Sequence, residues 1–280
     1  KVDGFRGLGN ESRSRYTRDV LRLAAIALLA NLSGGVGAGA QPATAVVVSW
    51  NLQGASPGDR AHVAALGARI STLRPDFIAV QECEDCAGVL PASHRLVGAS
   101  EAGVGLAYDV RRWELLADGA LPLGVNDDGW GPRVARWGRF VQIGGHESVV
   151  VYSTHWCVPV RSATDACTAA QQVGYARQMV SHARLVGGAA PVVIAGDLNV
   201  FDGFQRSAAI RYLTHPDSGF DLADPGAAVP TFAGNDFASG GRIDYVLVRG
   251  AEITGAPPLA LDPRLSDHAP VVADLALAEP

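Results

Sequence analysis

Polar residues of a few particular types stand at the ends of apolar, strand-like runs, and together they supply what is needed to cut a phosphate ester. Val192-Val193-Ile194-Ala195 breaks at once into Gly196-Asp197-Leu198-Asn199. An unbroken apolar run of this length fits a strand covered on both faces, and Gly196 is expected to let the backbone turn so that Asp197 and Asn199 face a crevice. Asn51 follows the run Val46 to Trp50, Gln81 and Glu82 follow Phe77 to Val80, and Thr154 and His155 close the run that begins at Ser148. Asp244 lies inside Ile243 to Val248, and Ser266-Asp267-His268 precedes Pro270 to Leu275. Phosphoester cleavage needs a hard cation held by carboxylates, donors for the non-bridging oxygens, an activated water and a proton route to the leaving group. Taken singly, each residue also has an ordinary reading, since Gly, Asp and Asn are the commonest turn residues. His62, His94, His146, His182 and His215 read as packed or surface histidines. Asp244 is different, because a carboxylate between Ile243 and Tyr245 destabilises a buried strand unless it has a cationic or hydrogen-bonding partner.

The elements that must position these groups follow from periodicity. The runs already named read as buried strands, and shorter strands are expected at Arg95 to Val97, Gly103 to Tyr108, Arg112 to Ala117 and Val134 to Ile143. A helix is expected from Asp59 to Leu73, with Ala61, Ala64, Ala65, Ala68 and Ile70 at helical spacing and Pro75 beyond its end. A second is expected from Asp165 to Val186, capped by Thr164 or Asp165, with a stripe of Ala166, Ala169, Val173, Ala176, Met179, Val180 and Ala183. Many strands with few helices between them imply two packed sheets flanked by helices in a single domain.

At 280 residues and 48% hydrophobic content the chain can bury a large core. Residues 1–40 stand apart: Arg13, Arg15, Arg18 and Arg22 precede an apolar stretch from Leu23 to Leu32, then small residues ending Ala38-Gly39-Ala40. The expectation is a secretory leader cleaved after Ala40, the stretch being too short for a membrane span of about 20 residues. The leader holds six basic and three acidic residues, so the remaining chain, 41–280, moves from a net charge of −5 to −8. A general basic surface for nucleic acid is thereby excluded, though a local arginine cluster at a cleft is not. Cys83, Cys86, Cys157 and Cys167 are an even set in an exported chain, so disulfides are expected. Of three possible pairings the local one joins Cys83 to Cys86 and Cys157 to Cys167. The spacing of Cys157 and Cys167 does not suit structural zinc.

Six fragments in order, Trp50-Asn51-Leu52-Gln53-Gly54, Val80-Gln81-Glu82, Ser153-Thr154-His155, Gly196-Asp197-Leu198-Asn199, Arg242-Ile243-Asp244-Tyr245 and Ser266-Asp267-His268, resemble the endonuclease/exonuclease/phosphatase superfamily typified by pancreatic deoxyribonuclease. The resemblance spans residues 45 to 276. It implies an α/β fold, a four-layer α/β/β/α sandwich of two mainly antiparallel sheets flanked by helices, and a Mg²⁺-dependent hydrolase of phosphoric esters, with Mn²⁺ as a substitute cation. It also implies roles: Glu82 holds the metal with help from Asn51, His155 and His268 are the catalytic imidazoles, and Asp244 partners His268. Asp197 orients or deprotonates water, Asn199 and Asn51 hold phosphate, and Asp267 assists the metal or the water. Arg133 resembles the family's phosphate-contacting arginine, with Arg136 as an equal claimant. Asn51-x-Gln53 is similar to deoxyribonuclease and to the B subunit of cytolethal distending toxin, which makes DNA the expected substrate. Gly241, where repair endonucleases often carry an aromatic, and the acidic chain are departures that keep phospholipids and inositol phosphates open, with Trp130, or Trp156 with Val158 and Val160, as the membrane-reaching residues. The reading from another class is a non-catalytic binding module on the same fold. No obligate protein partner follows from the sequence.

Overall fold

The protein is described here by a computed structural model covering residues 43–125, 131–159, 167–201, 207–223, 230–234 and 241–277. The expected leader, Trp130, Val160, and the start of the second expected helix with its caps Thr164 and Asp165 lie outside these residues. In chain order the elements are β1 (Ala43–Ala55), α1 (Arg60–Thr72), β2 (Phe77–Cys83), β3 (His94–Leu96), β4 (Gly105–Asp109), β5 (Trp113–Val125), β6 (Pro132–Gln142) and β7 (Ser148–His155). They continue with α2 (Ala169–Gly187), β8 (Val192–Asp197), α3 (Ala208–Leu213), β9 (Asp221–Leu222), β10 (Asp244–Arg249), β11 (Ala251–Gly255) and β12 (Val271–Leu277). Among the described residues no helix is long and apolar enough to cross a membrane.

The strands form two six-stranded sheets, ordered β11-β12-β1-β2-β4-β3 and β5-β6-β7-β8-β10-β9. Each sheet has one parallel pair near its centre, β1 with β2 and β7 with β8, and is antiparallel elsewhere. A parallel pair needs a crossover, which α1 supplies in the first sheet and α2 in the second. Val47, Phe77, Ala79, Leu106, Val151, Val193, Ala195 and Val246 bury their side chains between the sheets. On the outer face of the first sheet, Val63, Leu66 and Ile70 of α1 pack on Trp50, Leu52, Ile78 and Val80. The result is the expected α/β/β/α sandwich. Asp76 ties the sheets together at the end opposite the polar strand exits. Its carboxylate accepts from Val46 N at 2.8 Å, Arg112 Nη1 at 2.7 Å and Trp113 Nε1 at 3.0 Å.

Several expected boundaries shift. The buried stripe of α1 is Val63, Leu66 and Ile70, while Ala61, Ala64, Ala65 and Ala68 are exposed. Spacing selected the abundant alanines, but the bulkier side chains remove more apolar area from water and set the helix rotation. α2 is capped by Thr168, whose side chain accepts from Gln171 N while Gln171 reaches back to the cap. β5 runs well beyond Ala117, because two bulges let it stay paired with β6 past Gly119 and Pro122. β9, β11 and α3 carry no strong periodic signal and are additions.

His182 of α2 is a buried histidine outside the polar cluster. Its Nδ1 lies 2.7 Å from Tyr152 Oη, and its ring meets Trp137 edge-on at 5.2 Å. Burial lowers its pKa to about 4, below the unfolded value of about 6.5. The unfolded chain therefore binds the extra proton first, and stability is lost as pH falls from about 6.5 towards 4. Thermal melts of His182→Phe are expected to lose less between pH 7 and pH 5 than those of the parent. An unchanged slope would assign the acid sensitivity to other groups.

Candidate active site

Because both parallel pairs point the same way in their sheets, their carboxyl ends bring the polar strand exits together, where crevices form in sheets of this kind. Asn51 is in register with Gln81 across β1 and β2, His155 with Asp197 across β7 and β8, and Asp197 with Asp244 across β8 and β10. A pocket opens there, lined by Glu82, His155, Val158, Pro159, Asp197, Asn199, Phe201, Phe232, Ile243, Asp267 and His268.

Backbone geometry turns these side chains inward. Gln53, Glu82 and Asn199 hold φ near +50°, in the left-handed region that costs a non-glycine residue free energy. Gly196 does not make the turn expected of it; Asn199 does. The glycine is required for another reason, since a Cβ there would lie 2.0 Å from Thr154 O of the neighbouring parallel strand.

Asp197 Oδ2 is the focus. It accepts from Asn51 Nδ2 at 3.0 Å and lies 3.5 Å from His155 Nε2 and 3.9 Å from His268 Nε2. Its other oxygen accepts from Asn199 N at 2.8 Å. The second Nδ2 hydrogen of Asn51 goes to Glu82 Oε1 at 3.1 Å, and Asn51 Oδ1 accepts from Gln53 N at 3.0 Å. Asn51 is wholly buried and does not line the pocket. Its amide thus spaces the two carboxylates from behind the pocket wall.

Asp244 has the required partner: its Oδ2 lies 2.9 Å from His268 Nδ1. Burial works against a charged His268, but Asp244, by charge and by hydrogen bond, together with Asp197 and Asp267 outweighs it and raises the imidazole to about 10. Burial, then the charges of Arg133 and His268, lowers His155 to about 3. Burial, then the charge of Asp244, raises Asp197 to about 7. The site thus holds one imidazolium, one neutral imidazole and one carboxylate ready to take a proton, with geometry in place for acid–base work.

Asp197, Asp244 and His268 offer ligand-type atoms within 4.8 Å of one another. Asp244 Oδ2 is committed to His268, however, and Asp244 is fully buried. The open oxygen donors are Glu82 and Asp267, whose side chains are 39% and 36% exposed and both line the pocket. The imidazole nearest Glu82, His155 at 4.0 Å, is held neutral and offers it no counter-charge. These hard oxygens suit a divalent cation.

Other residues support the site without touching it. Gln53 Oε1 accepts from Asp267 N at 3.0 Å, Ser266 Oγ donates to Asn51 O at 2.8 Å, and Trp50 Nε1 donates to His268 O at 2.9 Å. Thr231 Oγ1 accepts from the backbone N–H of both Ile243 and Asp244. Trp50, Gln53 and Ser266 sit inside recognisable motifs, whereas Thr231 gives no local signal. Arg133 is buried on β6 and absent from the pocket wall. Arg136 is bound to Ala99 O at 2.6 Å, reaches Glu101 at 3.5 Å and is absent from the described pocket wall. Trp156 is fully buried, with its ring 5.8 Å from Tyr175, so it cannot dip into a membrane. Of the three pairings left open, the structure has the Cys157–Cys167 bond of the local one, while Cys83 and Cys86 are buried free thiols, with Cys86 Sγ donating to Cys83 O at 3.1 Å.

The sequence profile of the Endonuclease/Exonuclease/phosphatase family matches residues 48–268, and the chain belongs to that family. It is accordingly a metal-dependent phosphoester hydrolase. No curated protein sequence gives a significant match. Among solved structures, an endonuclease/exonuclease/phosphatase from Bacteroides vulgatus superposes with a TM-score of 0.68 at 21% identity, over 84% of this chain and 100% of that one. A mannosyl-6-phosphatase of Bacteroides thetaiotaomicron gives 0.64 at 19%, covering 82% and 99%. The catalytic domain of human nocturnin gives 0.64 at 14%, covering 84% and 95%. At these identities the likeness establishes the shared fold.

Replacing Asn51 by Ala frees Glu82 and Asp197 from their common brace. Metal titration of phosphodiester hydrolysis is expected to show apparent metal affinity or activity falling about 10–100-fold, with the circular dichroism of the parent retained. Unchanged affinity and rate would reduce Asn51 to a packing residue.

Proposed function

We propose that the protein is an exported, Mg²⁺-dependent phosphodiesterase acting on phosphodiesters of small molecules in preference to duplex DNA. The observation that carries the reading is the meeting, in one pocket, of His268 held by Asp244, His155 and Asp197 with two open carboxylates, Glu82 and Asp267. A divalent cation at Glu82 and Asp267 would supply positive charge against the non-bridging oxygens of the phosphate. Asp197 takes a proton from the attacking water. His268, held by Asp244, turns Nε2 towards the phosphate and stabilises its developing charge. Asn199 donates one amide hydrogen to Trp156 O at 3.0 Å, which leaves the second for a phosphate oxygen. The Nε2 proton of cationic His268 is the one available to the leaving oxygen, and neutral His155, 3.5 Å from Asp197, orients the carboxylate that takes the water proton.

Charge argues against duplex DNA. The described pocket wall contains no Lys or Arg, and polyanion binding relies on such cations. Gln53, which favoured DNA in the sequence, is accounted for by its hydrogen bond to Asp267 N. Export accounts for both the leader pattern and the Cys157–Cys167 disulfide.

The test compares bis-p-nitrophenyl phosphate, supercoiled plasmid and sphingomyelin vesicles, with Mg²⁺ and with EDTA. Hydrolysis of the small diester is expected with Mg²⁺ only, and a drop of about 100-fold or more in His155→Ala. Plasmid nicking that outpaces the small diester would establish DNA as the substrate instead. Absence of metal-dependent turnover on every substrate would favour a binding module.

A further inference from the structure

Half of the pocket takes no part in the acid–base chemistry. Its remaining described wall is Val158, Pro159, Phe201, Phe232 and Ile243, and none of these side chains carries a hydrogen-bonding atom. Phe232 is fixed by backbone bridges to Gly241 and to His268, and its ring centroid lies 4.7 Å from the His268 imidazole at 41°. Phe201, two residues beyond Asn199, fills space that only a glycine at 241 leaves free. A Cβ on Gly241 would lie 2.3 Å from Phe201 Cδ1. Gly241 thus stands where a side chain would compete with Phe201 for the same place beside the imidazoles. Val158 and Pro159 follow Cys157, which the disulfide to Cys167 restrains. Gln172 Nε2 steadies the same region by donating to Cys157 O at 3.3 Å and Asn199 O at 2.9 Å.

We infer that this wall selects phosphoesters whose organic group presents a flat apolar face, an aryl ring or a nucleobase, and rejects carbohydrate and polyol phosphates. The inference rests on the phosphoesterase reading of the same pocket. A sugar hydroxyl pressed against this wall gives up its water and gains no partner, which a binding site penalises heavily. A flat ring loses nothing of that kind and gains apolar burial and aromatic contact with two phenylalanines. With no side-chain donor or acceptor among the described residues of this apolar wall to read a base edge, stacking here is indifferent to which ring is offered.

Calorimetric titration of the whole protein in Mg²⁺ with phenylphosphonate, methylphosphonate, glucose 6-phosphate and thymidine 5′-monophosphate tests this without requiring turnover. Phenylphosphonate is expected to bind about tenfold or more tightly than methylphosphonate. That ratio is expected to fall towards one in Phe201→Ala and in Gly241→Ala, which displaces the Phe201 ring. Phe201→Leu keeps apolar volume without the ring and is expected to fall between. Thymidine 5′-monophosphate that depends on Phe201 in the same way assigns the ring to a nucleobase; its failure to bind alongside phenylphosphonate assigns it to an aryl group. Equal affinities for the two phosphonates in the parent, or glucose 6-phosphate binding as tightly as phenylphosphonate, would overturn the inference. If bis-p-nitrophenyl phosphate is still hydrolysed in that case, the phosphoesterase reading survives. Aryl preference without any turnover would leave the subsite and remove the hydrolase reading, and no binding by any probe would overturn both.

Discussion

The hydrogen bonds from the Asn51 amide to Glu82 and Asp197 are the constraint on which the site depends. Asn51 and Glu82 belong to the first sheet and Asp197 to the second, so one buried amide group sets the distance between two carboxylates across the sandwich. Without that brace, the two oxygens would repel and each would lose a donor. With it, Asp197 stays close to two imidazoles while Glu82 remains open to the pocket. The left-handed backbone of Gln53, Glu82 and Asn199 is tolerated around the same brace, in keeping with strain that collects at functional sites.

The two histidines then follow from their surroundings. His268 is pinned at Nδ1 by Asp244 and faces Asp197 and Asp267, so carboxylates on several sides keep it charged. His155 is kept neutral first by burial and then by the positive charges of Arg133 and His268. Two residues of one type are driven to opposite protonation states by position alone, which is how one pocket can offer both an acid and a base near neutral pH.

Much of this was readable in the sequence. The Val/Ile runs located the central strands, and the polar residue after each run located the site, because parallel strands deliver their carboxyl ends to one edge. What escaped depended on neighbours distant in sequence. Gly196 looked like a turn but answers to Thr154 O on another strand, and the bonds from Asn51 to Glu82 and Asp197 join residues far apart in sequence. The α1 stripe was misplaced because alanines at helical spacing outnumber the Val63, Leu66 and Ile70 that bury. Phe201 and Phe232 had no pattern at all, and Gly241 stood out only as a missing aromatic; packing shows that the glycine makes room for the Phe201 ring. Cys83 and Cys86, close in sequence and beside Glu82, remain thiols although an even cysteine count led to disulfides being expected.

The opposed charge states of the two imidazoles are the centre of this account, and nitrogen-15 NMR of histidine-labelled protein, with His155→Gln and His268→Gln for assignment, measures them directly. At pH 7.5 the account predicts that His268 carries protons on both ring nitrogens while His155 is a neutral tautomer. A neutral His268, or a charged His155, at that pH would contradict it.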